Sequence, residues 1–400
     1  MKYIIDIQDL WPEAFCMAVK NKFLQKLFYP MKLYINIAYS KADAIVAVSR
    51  TYVERALSVN RRISHGLCVY LGNSKELFDS GVSKYKITRT DQELWIGYVG
   101  SMGDSYDLGC IIKAISYLQT KSGFKKQLRL ILCGDGEKMS IFEKMANDYG
   151  VLADFLGRKK YDRMAGILSS CDIAVNPIVK GSAASVINKV GDYAFSGIPV
   201  INTQECQEYR DLVEKYYCGI NCACESEQEV ARAIEYLSND IVTRRMMGNN
   251  NRRMGEELFD RERTYNELAE MVDQMSEGKI VIIANFAGSL DGIANGRFTY
   301  LAEILAARGR DVEVITSTFN HGTKKQGKKV TGNYKSKITL IPEPGYSRNI
   351  SLRRLYSHWV WGINVRKYLN NLQDKPGIVY CAIPSLTVAV QSALYCRKRG

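Results

Sequence analysis

From Leu94 to about Leu258 the chain alternates short apolar runs with stretches whose apolar residues recur three and four positions apart. The runs LWIGYV, LRLILC, DIAVNP and PVI, starting at Leu94, Leu128, Asp172 and Pro199, are continuous rather than alternating. They are rich in β-branched residues and bounded by Gly, Asn or Pro, which predicts strands buried on both faces. Between them Leu108–Thr120, Met139–Tyr149, Tyr161–Ser170 and Asn188–Phe195 have helical spacing. Strand, helix, strand at this separation predicts right-handed βαβ units and a parallel sheet.

The same alternation occupies both ends of the chain. KIVIIANF, DVEVITS, ITLIP and GIVYCAI read as strands towards the C-terminus, YIIDI and AIVAVS near the N-terminus. From Lys279 to Ser317 the order is strand, glycine-rich turn, amphipathic helix, strand, the opening of a Rossmann-type domain, which usually stands at a domain's start. The simplest account is an α/β protein of two Rossmann-like domains in circularly permuted order. Residues 1–78 and 279–400 make one domain and 93–262 the other, with a polar linker at 79–92 and an amphipathic crossover helix at 263–278. That order predicts that Met1 and Gly400 lie close together.

Length and composition agree: 400 residues suit about two domains, and 46% hydrophobic with 24% charged residues excludes a largely disordered chain. No apolar run approaches the ~18 residues of a spanning helix. Acidic residues stand in MKYIIDIQDLWPEAF where a signal peptide needs an apolar block, so a cytoplasmic protein is expected. The 11 scattered cysteines fit reduced thiols. Cys218, Cys222 and Cys224 lack a second CxxC, and His65, His321 and His358 are remote in sequence, so small buried residues are expected there and no metal site. The net charge of +13 calls for an anionic partner: nucleic acid, anionic lipid or a phosphorylated small molecule.

Two turns suit phosphate. Gly100-Ser101-Met102-Gly103-Asp104 follows LWIGYV, and Ala287-Gly288-Ser289-Leu290-Asp291-Gly292 follows KIVIIANF. Glycine lets the backbone approach an anion, and a helix N-terminus offers unpaired N–H donors. Neither turn is a Walker loop or a clean GxGxxG, so tight βα turns are an equal reading.

The segment Ser182–Val200, SAASVINKVGDYAFSGIPV, resembles the donor-binding segment of retaining GT-B glycosyltransferases of family 4. LRLILCGDGEKMSIFEKMA and FLGRKKYDRMAGILSSCDIAVNPI are similar to further segments of that family, and DLWPE resembles a signature of its bacterial surface-polysaccharide enzymes. The resemblance implies a donor site from Gly100, Ser101, Met102, Gly134, Arg158, Ser185, Val186, Asn188 and Asp192, with Asp192 on the ribose. It implies Lys189 and Asp9 as catalytic residues, and Gly288, Ser289, Asp291, Gly292 and Glu13 on the acceptor side. Asp9 as a helix N-cap, and Glu13 as a structural residue near it, remain open. The family's E-x7-E pattern is incomplete: its first position falls at Ala184 and its second at Asp192.

The resemblance further implies two domains facing across a cleft, no resident cofactor, a UDP-sugar as favoured donor, a retaining transfer without metal, and a polyprenyl-diphosphate-linked acceptor. A GT-B-shaped nucleotide-sugar epimerase is the nearest alternative. A basic nucleic-acid-binding protein is a third reading, although no RNP motif, zinc finger or basic helix-turn-helix is present. Two basic aromatic stretches, Lys20–Lys41 and Arg348–Lys367, fit either helices on an anionic membrane surface or core helices with solvated cations.

Overall fold

A computed structural model describes residues 1–13, 26, 28–88, 93–182, 185–275, 277–288, 290–291, 296–349 and 351–399. They form two compact units, residues 1–69 with 265–400 and residues 70–264. In chain order the described strands are β1 Lys2–Ile7, β2 Ala44–Ala47, β3 Leu67–Cys68, β4 Glu93–Val99, β5 Gln127–Cys133 and β6 Ala153–Phe155. There follow β7 Ile173–Asn176, β8 Val200–Asn202, β9 Gly219–Asn221, β10 Ile280–Ile283, β11 Val312–Ser317, β12 Lys337–Ile341 and β13 Ile378–Ile383.

In the 70–264 unit the sheet order is β6-β5-β4-β7-β8-β9, and every pairing is parallel. Counted from β4 this is 3-2-1-4-5-6, the doubly wound order, whose switch point lies between β4 and β7. The continuous apolar strands follow from helices covering the sheet. Leu94, Ile96 and Tyr98 of β4 and Leu128, Leu130 and Leu132 of β5 share a core with Ile111 and Ile115 of helix Leu108–Thr120 and Val230 and Ile234 of helix Glu227–Asn239.

The stretch taken for a linker needs correction. Lys75–Tyr85 is a helix whose Ser74 cap accepts from the Leu77 amide. Its polar residues line the solvent side, while Phe78 is fully buried and Gly81 lies against the backbone of Asp162 on helix Tyr161–Leu168. Residues 79–85 therefore belong to the central unit, and residues 89–92 lie outside the described residues.

In the other unit the order is β12-β11-β10-β13-β1-β2-β3, again parallel throughout. Counted from β10 it is also 3-2-1-4-5-6, with β3 added at the edge. Helix Arg261–Met275 packs Tyr265, Leu268, Ala269 and Val272 into this core beside Ile280, Ile282 and Ile4. The segment expected as a separate crossover is a core helix from Tyr265 onward. Of the tight cysteine group, Cys218 and Cys222 are buried, and the half-buried Cys224 donates to the Thr203 carbonyl at 2.7 Å. Among the described residues no helix is long and apolar enough to cross a membrane.

Candidate functional site

The carboxyl ends of β4 and β5 are built from glycine. Gly100 has φ +129° and Gly134 φ +157°, backbone that only glycine adopts readily. A Cβ on Gly134 would fall on the Gly100 carbonyl, and one on Gly100 would meet Lys189 Nζ, so these turns are packed backbone on backbone. Gly134→Ala should therefore lower stability by at least about 2 kcal/mol through strain and overpacking. Urea unfolding measures this, and a loss within ~0.5 kcal/mol would show that the turns relax at no cost.

These turns wall a cavity of about 340 Å³ with Asp135, Arg158, Lys189 and Asp192. Lys189 stands at the N-cap of the short helix Val190–Phe195, which starts two residues later than the helix expected from Asn188. Its ammonium lies 4.4 Å from the ring centre of Tyr98 and 3.8 Å from that of Tyr106, and donates to Tyr98 Oη at 3.1 Å. Tyr98 in turn donates to the Ser101 carbonyl. Desolvation in this aromatic slot lowers Lys189 to about 7, with the Asp192 charge opposing.

One turn further on, Asp192 Oδ1 accepts from Asn73 Nδ2 at 2.7 Å and from Tyr161 Oη at 2.9 Å. Burial raises its carboxyl to about 6, against the pull of Tyr161, Asn73 and Lys189. A half-charged amine and a carboxylate held by neutral donors thus stand in one cavity. The amine is suited to an anion and the carboxylate to hydroxyls.

Of the expected donor residues, Gly100, Ser101, Gly134, Arg158 and Asp192 come together here with Lys189, expected as catalytic. Arg158 is largely exposed and pairs with Asp135 at 3.2 Å. Met102 is a core residue: its side chain is fully buried, and only its amide reaches the second turn, donating to the Asp135 carbonyl at 2.7 Å. Ser185, Val186 and Asn188 do not line the cavity. The Ser185 carbonyl accepts from Gln204 at 2.6 Å, Val186 is buried and Asn188 is exposed. Asn73, Tyr98, Tyr106 and Tyr161 carried no signal in the sequence, because tyrosines and a loop asparagine become informative only once the fold sets them against Lys189 and Asp192.

A second constellation lies at the carboxyl ends of β1, β10, β11 and β12. Asp9 reaches solvent, yet partial desolvation raises its carboxyl, with Arg354 pulling it back down. The Arg354 guanidinium stands over the rings of Trp11 at 4.6 Å, Tyr346 at 5.4 Å and Phe286 at 5.7 Å. His321 Nδ1 and Tyr346 Oη are 2.6 Å apart, and the Tyr346 and His358 ring centres 5.7 Å. Burial, then Lys324 and Arg354, lowers His321 to about 4, and burial, then Arg354 and His321, lowers His358 to about 3. Histidines 37 positions apart in the chain are therefore gathered in space, which the sequence reading did not anticipate.

The contacts of Glu13 fit the structural one of its two readings. Its Oε1 pairs with Arg55 Nε at 2.5 Å, and Arg55 also donates to Asn36. Gly288 has φ +81° in the turn after β10 and Asp291 is exposed, whereas Ser289 and Gly292 lie outside the described residues. Among the described residues no cluster of His, Cys, Asp and Glu could hold a metal ion.

Residues 83–254 match the family model described as Glycosyl transferases group 1. That match falls on the unit that holds Lys189 and Asp192. The chain is 22% identical over 262 residues to the uncharacterized glycosyltransferase MJ1069 of Methanocaldococcus jannaschii, covering 64% of this chain and 65% of that protein. It is 22% identical over 164 residues to a Campylobacter jejuni protein, GalNAc-alpha-(1->4)-GalNAc-alpha-(1->3)-diNAcBac-PP-undecaprenol alpha-1,4-N-acetyl-D-galactosaminyltransferase, covering 40% of this chain and 43% of that one. The chain thus spans less than two thirds of the length of either relative. Among solved structures, that of Anabaena Alr3699/HepE in complex with UDP superposes with a TM-score of 0.53 at 16% identity, over 68% of this chain and 72% of that one. The shared fold is that of GT-B glycosyltransferases, two Rossmann-like halves each built on a parallel sheet.

Proposed function

We propose that the chain is a retaining, metal-independent glycosyltransferase that takes a UDP-sugar on its 70–264 unit and transfers the sugar to a polyprenyl-diphosphate-linked saccharide. The observation that carries this reading is the convergence of Lys189 and Asp192 in one cavity beside the Gly100 and Gly134 turns. Lys189 faces the diphosphate and stabilises the charge that grows as the glycosidic bond breaks. Asp192, steadied by Asn73 and Tyr161, accepts from the ribose hydroxyls. With no carboxylate nucleophile positioned among the described residues, the acceptor attacks from the face the diphosphate leaves, and that diphosphate takes the acceptor's proton.

The name of the Campylobacter jejuni relative, which acts on a PP-undecaprenol-linked saccharide, supports a lipid-linked acceptor. The crystal structure of Anabaena Alr3699/HepE in complex with UDP supports UDP as the nucleotide. The basic helices of the 1–69/265–400 unit support docking on an anionic membrane surface at its cytoplasmic face, as part of surface-polysaccharide synthesis. A permuted chain order is supported by the strand numbering that starts at β10. It is also supported by the Cys396 thiol, pushed up to about 12 mainly by burial, which senses the N-terminal ammonium.

A thermal-shift panel of nucleotide sugars, run on the wild type and Asp192→Ala, tests the reading. UDP and one UDP-sugar should raise the melting temperature of the wild type, and Asp192→Ala should lose most of that rise. An equal rise in both would remove Asp192 from the ribose. No rise with any nucleotide, together with no UDP release in the presence of acceptor, would overturn the transferase. Conversion of a UDP-sugar to its epimer without acceptor would establish the epimerase instead.

A further inference from the structure

Three helices of the 1–69/265–400 unit, Tyr29–Lys41, Leu352–Asn370 and Leu386–Arg399, pack on one another. They carry lysines and arginines and not one aspartate or glutamate. A pocket of about 480 Å³ lies among them, walled by apolar side chains that include Trp11, Met31, Leu355, Trp359 and Leu386. The same helices carry large apolar side chains that solvent reaches: Leu352 is 84% exposed, Leu33 51%, and the pocket residue Trp359 51%. An apolar pocket with an exposed aromatic rim, on helices of one charge sign, suits an amphiphile with an anionic head.

The inner wall of the pocket favours a specific ligand over bulk lipid. Trp11 and Pro384 line it, and they follow β1 and β13 at the carboxyl ends, where doubly wound sheets bind ligands. Trp11 is shared, since Arg354 stands over its ring at 4.6 Å with its Nε buried and without a hydrogen-bond partner. His358, 3% exposed, also lines the pocket, and its Nε2 has no partner. His358 Nε2 thus offers a polar contact at the pocket wall, and Arg354 Nε a second one behind the Trp11 ring. A lipid held only at the surface would not reach them.

We propose that this pocket takes the hydrocarbon chain of the lipid-linked acceptor next to its phosphates, and that Arg354 meets the phosphate. This inference rests on the lipid-linked acceptor proposed above. The chain is gripped by desolvation of Leu355, Trp359 and Leu386, and the guanidinium fixes the head at the strand ends beside Asp9. A saccharide diphosphate without its lipid would lose the first of these contacts and keep the second.

The test uses the whole chain saturated with UDP, so that the central cavity is occupied, and follows tryptophan fluorescence during titration with farnesyl diphosphate, farnesol or inorganic diphosphate. Farnesyl diphosphate should bind the wild type, and Leu355→Glu, at a partly exposed position that tolerates a charge, should weaken it by about tenfold or more. Arg354→Gln should weaken farnesyl diphosphate and leave farnesol unchanged. Equal farnesyl diphosphate affinity in wild type and Leu355→Glu would overturn the proposal. So would a quench by phosphatidylglycerol vesicles alone, since the face would then be a general membrane contact. Failure of UDP to bind the wild type would instead sink the transferase reading, which separates the two outcomes.

Discussion

Exchanging Lys189 for glutamine should lower the turnover of a UDP-sugar by roughly 10²–10³-fold, the usual effect of removing one preorganised donor to a developing negative charge. The side chain is suited to the task because the Tyr98 and Tyr106 rings hold its ammonium in place over the Gly100 turn, so little reorganisation is needed as charge builds. Its value of about 7 means that the ammonium carries only part of its charge near neutrality, and on the proposed reading a bound diphosphate should draw the proton on. Asp192, raised to about 6, must be ionised to accept from hydroxyls. Activity at low donor should therefore rise from pH 5 through about 6 and fall above about 7, with the alkaline limb displaced upward at saturating donor. In Lys189→Gln the alkaline limb should vanish and the acid limb remain. A kcat within threefold of wild type, or an unchanged alkaline limb, would show that Lys189 is not the diphosphate partner.

The same pair makes stability depend on pH in opposite senses. Lys189 binds its proton less tightly folded than unfolded, so between about 7 and 10.5 the unfolded chain holds more protons and stability rises with pH. Asp192 binds its proton more tightly folded, so between 3.8 and about 6 its contribution falls as pH rises. On the proposed reading, a bound diphosphate should remove the first of these effects by restoring the charge on Lys189.

Long apolar strands were legible in the sequence because a parallel sheet covered on both faces writes itself as continuous Val, Ile and Leu. LWIGYV, LRLILC and GIVYCAI all became strands, and Leu108–Thr120 a helix with those bounds. β3, β6 and β9, of two or three residues each, are too short to leave a period. Helix Lys75–Tyr85 was hidden because its sequence is mostly polar and only Phe78 and Gly81 make its buried contact. At the site, glycines and the Lys189/Asp192 spacing were legible because backbone approach and charge leave residue types behind. The tyrosine slot, the Asn73 and Tyr161 bonds and the His321–Tyr346–His358 group were not, because each joins residues from separate strands, helices and loops far apart in the chain.

Asp6→Ala should cost the 1–69/265–400 unit about 3–5 kcal/mol, the usual result of stripping a buried ion pair of one partner. Asp6 is fully buried on β1, and its Oδ2 accepts from Arg297 Nε at 2.7 Å and Tyr380 Oη at 2.6 Å. Arg297 also donates to the Val69 carbonyl at 2.9 Å and to Tyr265 Oη at 3.3 Å. One carboxylate thus ties β1 to β13 and to helix Arg297–Ala307. Removing it leaves a guanidinium with no countercharge in a dry core, and the remaining neutral acceptors cannot hold that charge at equal cost. The double variant Asp6→Ala/Arg297→Met takes both charges out, so it should lose clearly less than the sum of the two single changes. Urea unfolding with amide exchange read at β10 and β13 measures each loss. A single-variant loss below about 1 kcal/mol, or strict additivity in the double, would mean that solvent reaches the pair and that the unit is held by its apolar strands alone.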